Sequence, residues 1–283
     1  MSKDKTKKIY LLVLAFTSGL TIMAVEITAS RLIAPYFGTS TFIWTNIIGV
    51  IMVALSIGYY VGGKISDRIP DIKLLLEIIL VACLILLIIP FVISPLVGIV
   101  VDNILFLQSA SIMIFLGSLI TVSVLFIIPI LLLGVVSPFI IKLLAVDEQR
   151  IGTDAGLVFS ISTIGSIIGT FLPILVFIPF LGSRKTMICF ALLLAFIALT
   201  GLVNKKWHLL FFTLLLPFVF LNLTTIKPAQ GFVFEDESAY QYFQIVDEGY
   251  LRLLKPNEGM GVASVYNMNE PAVLTGYYYD YYN

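Results

Sequence analysis

The sequence is poor in charge, in histidine and in cysteine. Only 12% of its 283 residues are charged, whereas a soluble domain has about 25%. Its one histidine, His208, and its two cysteines, Cys83 and Cys189, cannot supply the three or four ligands of a zinc-type site, so we expect no metal. The 17 basic and 17 acidic residues cancel, so the net charge does not point to any class of partner. We expect no nucleic-acid partner.

Apolar residues dominate instead. They make up 59% of the chain, the mean hydropathy is +1.06, and several runs reach the roughly 20 apolar residues that span a bilayer. The N-terminal run continues past Ala34 without a signal-type cleavage site, which indicates an uncleaved first span. The composition predicts a mainly α, polytopic transmembrane bundle of about seven spans, at residues 9–34, 42–62, 73–94, 110–141, 152–180, 186–203 and 207–226.

The distribution of lysine and arginine orients this bundle. Connections at 35–41 and 95–109 have neither residue, and within the second, residues 96–108 are predicted to form a loop or an interfacial helix. Basic loops stay in the cytoplasm, so we expect a multi-pass protein of the cytoplasmic (inner) membrane with a cytoplasmic N-terminus. Only Arg184 and Lys185 fall on the other side. The basic side carries Lys3, Lys5, Lys7, Lys8, Lys64, Arg68, Lys73, Lys142, Arg150, Lys205 and Lys206.

The composition changes beyond Ile226. Polar and apolar residues alternate, as in QYFQIVDEGYLRLL, and the turn sequences DEG and PNEG separate runs that are typical of strands. We therefore divide the chain into a bundle, 1–226, and a small β-hairpin segment of two or three strands, 227–283. Such a segment is too small to bury its own core and needs a surface to pack on. Seven spans from a cytoplasmic start place it outside the cytoplasm.

Two charged residues lie inside the first predicted span. Glu26 is roughly 25 Å along the helix and Arg31 roughly 33 Å, so Arg31 can reach the outer interface as an anchor. Glu26 is deeper in the hydrocarbon. Its carboxylate is expected to bind a cation, to relay a proton or to bond to a neighbouring helix, and the sequence leaves these three roles open.

Two pairs of glycines predict close helix packing. Gly58 and Gly62 lie in the second span, and Gly165 and Gly169 lie in the fifth. Glycines four residues apart let two helix backbones approach closely. Each pair is therefore expected to face a partner helix.

The second span ends in the segment GYYVGGKISDR, residues 58–68. It contains an Asp-Arg pair, Asp67 and Arg68, behind a glycine-rich helix end. The segment resembles the cytoplasmic loop between helices two and three of major facilitator transporters. The resemblance implies a major-facilitator-like bundle in which this pair binds a neighbouring helix end.

Further segments carry a second resemblance. VEITASRLIAPYFGTSTFIW lies in the first span, and PILLLGVVSP and FSISTIGSIIGTFLPILVFIPFLGSRKT lie in the fourth and fifth. The tail reads DESAYQYFQIVDEGYLRLLKPNEGMGVAS and later LTGYYYDYYN. In this order they resemble the membrane-embedded spermidine-synthase-like proteins, in which a transporter-like bundle is fused to an aminopropyltransferase domain. The tail is similar to the strand region that precedes the nucleotide domain.

The resemblance implies roles for residues of the tail. Ser238, Tyr240 and Gln241 match a segment that helps to hold the sulfonium donor, decarboxylated S-adenosylmethionine. Tyr278 and Asp280 match a segment that closes over the acceptor amine, a polyamine such as putrescine or spermidine. Both ligands are cations, which aromatic faces and carboxylates suit, and a positioned carboxylate helps to deprotonate the attacking amine.

The donor site and the catalytic aspartate of that family lie on a Rossmann-like domain after the strand region. EGMG, residues 258–261, contains a lone G-x-G, and no strand–helix unit fits in the residues that follow. We therefore assign no catalytic residue and no cofactor to residues 1–283, and expect a missing or separate Rossmann-like domain and a chain that is inactive alone. Two alternatives stay open: a transporter or polyamine-binding membrane protein without catalysis, and a plain membrane anchor.

Overall fold

The structure is a computed structural model of the chain. It describes residues 2–104, 109–145, 150–202, 226–227, 229–238, 240–259 and 261–269. Within them, seven α-helices are followed by four β-strands. The helices are α1 Ser2–Phe37, α2 Thr41–Arg68, α3 Ile72–Ile104, α4 Ala110–Gly134, α5 Val136–Leu144, α6 Ile151–Leu172 and α7 Ile178–Leu202.

Five helical stretches of the described residues are long and apolar enough to cross a membrane. The fourth joins α4 to α5, and the fifth joins α6 to α7 through a π-helical turn, Pro173–Phe177. The mainly helical, apolar architecture predicted from composition is therefore confirmed. Of the predicted span at 207–226, residues 207–225 lie outside the described part of the chain. The five stretches are Lys5–Phe37, Thr41–Arg68, Ile72–Ile104, Ala110–Leu144 and Ile151–Leu202.

The end of α3 corrects one prediction. Residues 96–104, expected to form a loop or an interfacial helix, extend α3 without a break. The polar Asn103 does not end the helix, because its side-chain amide donates to the Ile99 carbonyl at 2.8 Å. Asp102 and Asn103 are both exposed, so the longer helix does not bury them in the core. Residues 105–108 lie outside the described part of the chain.

Helices α1 and α6 run parallel and pack backbone to backbone. Near the N-terminus, Lys8 forms a 3.0 Å ion pair with Asp154 in the first turn of α6. Further along, Cβ atoms added at Gly165 and Gly169 would overlap backbone carbonyl groups of α1. The close packing predicted for this glycine pair is therefore confirmed.

Helix α2 packs in the same way along α4 and α5. A Cβ added at Gly58 or Gly62 would overlap the backbone of those helices. Nearer the start of α2, the Asn46 amide donates to the Ser118 hydroxyl at 2.8 Å. The prediction of a partner helix is thus confirmed for the second glycine pair, and α2 and α4 run parallel.

The chain reverses direction at Gly182, inside the residues assigned to α7. This glycine has φ 76° and ψ 167°, a conformation that residues with a Cβ rarely adopt. Beyond it, α7 runs antiparallel to α1: the Thr21 hydroxyl donates to the Phe190 carbonyl, and the Tyr10 hydroxyl donates to the Ile197 carbonyl at 3.0 Å. The long apolar stretch Ile151–Leu202 is therefore a pair of helices that pass through the bundle in opposite directions.

Apolar side chains fill the bundle and also cover its outside. Phe126 and Phe139 are fully buried between the helices. Met52, Leu175 and Phe180 are 64%, 68% and 82% exposed. Helices that face hydrocarbon present such an apolar outer surface. The exposed side chains therefore fit a bundle surrounded by lipid.

The tail forms a four-stranded antiparallel sheet in the order β1-β2-β3-β4. The strands are β1 Phe232–Glu237, β2 Tyr242–Glu248, β3 Leu251–Pro256 and β4 Ser264–Asn267. The prediction of two or three strands was therefore too low. The extra strand, β4, has only four residues and pairs with β3 beyond the PNEG turn. Such a short strand gives little alternation to recognise.

Candidate functional site

The sheet packs on the end of the bundle that is opposite to the N-terminus. We call this end, formed by the end of α1 and the reversal at Gly182, the sheet end, and the other end the basic end. The Arg31 guanidinium donates from Nη1 to the backbone carbonyl of Tyr240 at 2.7 Å. The Tyr36 hydroxyl donates to the Ile226 carbonyl. Side chains of α1 thus hold the chain segments on both sides of β1.

The Glu237 carboxylate joins the sheet to α7. Gly182 is not helical, so Ser183 begins a new helical run whose first N–H groups have no carbonyl partner within the helix. Glu237, at the end of β1, accepts the Ser183 N–H at 2.6 Å and the Ser183 hydroxyl at 2.8 Å. A carboxylate at a helix N-terminus also interacts favourably with the helix dipole. The sheet therefore supplies the cap for the second half of α7.

Two arginines surround this carboxylate. Arg184 is 7% exposed and donates from Nη2 to the Ile226 carbonyl at 3.2 Å, and Arg31 approaches from α1. Burial raises the pKa of Glu237 above its usual 4.5, while the bonds from Ser183 and the charges of both arginines act in the opposite direction. The carboxylate therefore lies in a partly dry site whose compensating charges come from two helices.

A second carboxylate, Glu235, orders the neighbouring polar groups. It accepts the Tyr242 hydroxyl at 2.6 Å and the backbone N–H of Ile226. Burial is the larger cause that raises the pKa of Tyr242, and its hydrogen bond to Glu235 raises the pKa further. This hydroxyl therefore stays protonated. Beside it, the Gln244 amide donates to the Lys227 carbonyl at 2.6 Å. These contacts fix the segment at 226–227 onto the buried side of β2.

A first cavity at the sheet end has a volume of about 180 Å³ and is lined by Tyr240, Trp44 and Arg31, among others. We call it the Tyr240 cavity. The Ser238 hydroxyl accepts the N–H groups of Tyr240 and Gln241, at 3.2 and 3.1 Å, and so fixes the β1–β2 turn. This turn leaves the Tyr240 side chain 89% exposed at the mouth of the cavity.

A carboxylate lies next to one of the residues that line the Tyr240 cavity. Gly38 lines the cavity with φ 84°, and a Cβ added there would lie 2.8 Å from the Glu258 carboxylate. The pKa of nearby Lys227 is lowered by burial, and the Glu258 charge acts in the opposite direction. An aromatic pair beside a carboxylate is a suitable surface for an organic cation.

A second cavity lies between the start of α7 and β1, with a volume of about 270 Å³. Phe180 and Leu181 form its apolar wall, and Lys185, Asp236 and Glu235 are among its charged lining residues. We call it the Lys185 cavity. It combines charges of both signs with a wall that continues the outer apolar surface of the bundle.

The structure brings some of the predicted site residues together and separates others. Arg31 meets Tyr240 at the sheet end, so it does more than anchor α1 at an interface. Glu26 is half-buried five residues earlier, about 7.5 Å along the helix axis.

Asp67 forms a 2.8 Å ion pair with Lys142, in the last turn of α5. Arg68 ends α2 and is exposed there, while Gln241 is exposed beside Tyr240. Tyr278 and Asp280 lie outside the described residues.

Sequence reasoning missed the residues that dock the sheet, namely Gly182, Ser183, Arg184 and Glu237. One signal was available: Arg184 is one of two basic residues that disagree with the charge distribution across the bundle. A buried arginine at the sheet end needs acidic and carbonyl partners, and the tail supplies both. The position of Arg184, on the side of the bundle that otherwise lacks basic residues, was therefore a sign of the docking site.

No protein-family model, curated protein or solved structure matches this chain.

Proposed function

We propose that the chain is the membrane bundle and substrate-lid hairpin of a spermidine-synthase-like aminopropyltransferase, and that its Tyr240 cavity binds the polyamine. The observation that carries the proposal is the β1–β2 turn. Ser238 fixes the turn, Arg31 holds it on the bundle, and the exposed Tyr240 lines the same cavity as Trp44. The membrane part thus positions a turn that resembles the donor-holding segment of these enzymes. We assign the polyamine to the cavity beside this turn because Tyr240 and Trp44 both line it.

The chemistry of the Tyr240 cavity suits an alkylammonium ion. The faces of Tyr240 and Trp44 attract a cation, by about 0.5–1 kcal/mol each at exposed sites. The Glu258 carboxylate adds a charge of the opposite sign next to one of the lining residues. The Arg31 charge is partly compensated, because its guanidinium binds the Tyr240 carbonyl and faces Glu237. A flexible polyamine can place one ammonium here and extend the rest of its chain over the sheet.

The same proposal includes a topology with seven crossings in a major-facilitator-like bundle. Helices α1 to α7 make six passes, and Gly201 of α7 lies beside Tyr10 near the N-terminus. The chain is at the sheet end again at Ile226, beside Tyr36. The predicted span at 207–226 supplies a seventh pass between these two points. With a cytoplasmic N-terminus, the sheet then lies outside the cytoplasm.

Sidedness sets a condition on catalysis. The Tyr240 cavity meets polyamine from the extracytoplasmic side, so the donor, decarboxylated S-adenosylmethionine, must also reach that side. In this proposal the donor is held by a Rossmann-like domain that packs on the sheet, with Gln241 beside the donor. The exposed turn at Tyr240 and Gln241 is available for such contact.

Spermidine binding to the full chain in lipid nanodiscs tests the proposal. Tyr240→Ala removes one aromatic face and the body of an exposed side chain, so we expect affinity to fall about fivefold. Tyr250→Ala is the matched control, because Tyr250 is 57% exposed in the β2–β3 turn and lines neither cavity. Equal binding by the wild type and Tyr240→Ala, or loss in the control alone, contradicts the proposed site.

A second candidate function is polyamine transport by the bundle without catalysis. The observation that favours transport concerns Glu26. It is a half-buried carboxylate within α1 that makes no hydrogen bond or ion pair to another described residue. Uptake of labelled spermidine into proteoliposomes tests it. Loss of uptake in Glu26→Gln, with normal uptake in a Glu77→Gln control at the exposed start of α3, supports transport. An absence of uptake by the wild type rejects it.

A further inference from the structure

We propose that the Lys185 cavity binds the headgroup of a zwitterionic aminophospholipid, from the leaflet on which the sheet rests. A headgroup of this class carries a phosphate and, a few atoms away, a primary ammonium. The site is independent of the Tyr240 cavity and of the proposed enzyme activity. Its role is to fasten the β1 side of the sheet to the bilayer.

The cavity opens where lipid meets the sheet end. Its apolar wall is formed by Phe180 and Leu181, directly before the reversal at Gly182. Phe180 is 82% exposed, and the preceding turn exposes Leu175 at 68%. These side chains continue the outer apolar surface of the bundle up to the mouth of the cavity. A lipid lying along α6 therefore has its headgroup at the entrance.

The cavity contains charges of both signs in nearly equal number. Arg184 and Lys185 are basic, and Glu235, Asp236 and Glu237 are acidic. Arg184 is more than nine-tenths buried, Lys185 is half-buried and Asp236 is exposed, so the charged lining runs from the inside of the cavity to its open side. An anionic ligand would meet three carboxylates, and a polycation would meet two basic side chains. A ligand with one charge of each sign suits the lining best.

Two of these side chains have capacity left for a ligand: Lys185, and Asp236, whose Oδ1 accepts the Glu237 N–H at 2.8 Å while Oδ2 remains. Glu237 is bound by Ser183, and Glu235 is bound by Tyr242. Within the described residues, no ion pair involves Lys185 or Asp236. We therefore assign the lipid phosphate to Lys185 and the lipid ammonium to Asp236.

The hydrogen-bonding capacity of the ammonium sets the specificity. A primary ammonium has three N–H donors for carboxylate oxygens, as a lysine head has. A trimethylated choline headgroup has none, although its charge is the same. An ethanolamine headgroup should therefore be preferred to choline, and by about tenfold if one charge-assisted hydrogen bond is lost.

Lipid retention by the full chain tests the assignment. The chain is released from nanodiscs made of equal parts phosphatidylethanolamine, phosphatidylcholine and phosphatidylglycerol, and the lipid that stays bound is identified by native mass spectrometry. We expect one retained phosphatidylethanolamine, favoured over phosphatidylcholine by about tenfold. Asp236→Asn should abolish the preference, and Lys185→Gln should lower the retention of both lipids, in each case without changing the melting temperature in detergent.

Matched controls lie at the basic end. Lys64→Gln removes a lysine that stacks on the Tyr60 ring at 4.4 Å, and Asp71→Asn changes an exposed acid in the α2–α3 connection. Both should keep the wild-type preference. Equal retention of the three lipids, a preference for phosphatidylglycerol, or displacement of the lipid by spermidine would each overturn the assignment. The last result would make the cavity a polyamine site instead.

Discussion

At the scale of single residues, Glu237 is the contact on which the docking of the sheet depends most. It lies 54 positions from Ser183 in the sequence and accepts both its N–H and its hydroxyl. Removing an acceptor from a buried donor costs about 1–3 kcal/mol, because the donor also loses water. No other acceptor is bonded to the Ser183 N–H among the described residues.

Replacing Glu237 should therefore loosen the sheet. We expect Glu237→Ala to destabilise docking by about 1–3 kcal/mol, and Glu237→Gln to cost less, because an amide keeps one oxygen acceptor. Hydrogen exchange of the peptide that contains Ser183 measures the effect directly. Glu248→Ala is the control, since it removes only the surface ion pair with Lys255. Unchanged exchange in Glu237→Ala would show that the carboxylate does not cap α7.

The raised pKa of Glu237 predicts how docking depends on pH. A group with a higher pKa in the docked state binds its proton more tightly there. Its contribution to the stability of docking is therefore fully present below its ordinary pKa of 4.5. The contribution is lost as the pH rises through the raised value. We expect sheet docking, monitored by limited proteolysis of the sheet, to weaken with rising pH in the wild type. Glu237→Gln should flatten this dependence, and an unchanged slope would contradict the assignment.

The two charged residues of α1 should respond differently to substitution. Arg31→Lys keeps the charge but loses the planar guanidinium that binds the Tyr240 carbonyl, so we expect the β1–β2 turn to exchange faster. Because Glu26 lies deeper in the hydrocarbon than Arg31, we expect Glu26→Ala to lower the level of folded protein more than Arg31→Lys does. Expression level and melting temperature of both variants test this order. A larger loss in Arg31→Lys would reverse it.

At the scale of elements, the glycine pairs hold helices together in parallel. Gly165 leaves room for the Phe16 carbonyl, so a leucine there would push α6 away from α1. Overpacking of this kind costs about 1–3 kcal/mol and sometimes more. We expect Gly165→Leu to lower the melting temperature and the yield. Gly156, on the same helix, has open space around it, so Gly156→Leu is the control and should be tolerated. Equal losses of melting temperature and yield in both variants would mean that α1 and α6 are not close-packed at Gly165.

The helices were predictable because each is encoded locally. Apolar runs and glycine spacing are properties of residues close in sequence. They located the long helical stretches, and they located the glycine-lined faces by which two of these stretches pack on a partner. The end of α3 was missed because polar residues suggested a loop, yet Asn103 satisfies its amide within the helix. The docking of Glu237 on Ser183 could not be predicted, because it joins residues that are distant in sequence and depends on the reversal at Gly182.

At the scale of the whole molecule, the two ends of the bundle have different characters. The basic end is held by exposed ion pairs, Lys8 with Asp154 and Lys142 with Asp67. The sheet end is held by buried polar contacts that include Arg31 and Glu237. The central claim is that the membrane separates these two ends and that the sheet faces outward. Both the polyamine site and the lipid site depend on this arrangement.

Cysteine labelling in intact cells tests this claim most directly. The native Cys83 and Cys189 are first replaced by alanine, and single cysteines are placed at Tyr250 in the sheet or at Ile69 in the α2–α3 connection. Both side chains are well exposed, at 57% and 55%, so a lack of labelling is not due to burial. We expect a membrane-impermeant maleimide to label Tyr250→Cys in intact cells and to label Ile69→Cys only after the cells are opened. Labelling of Ile69→Cys alone, or of both positions, in intact cells would contradict the account.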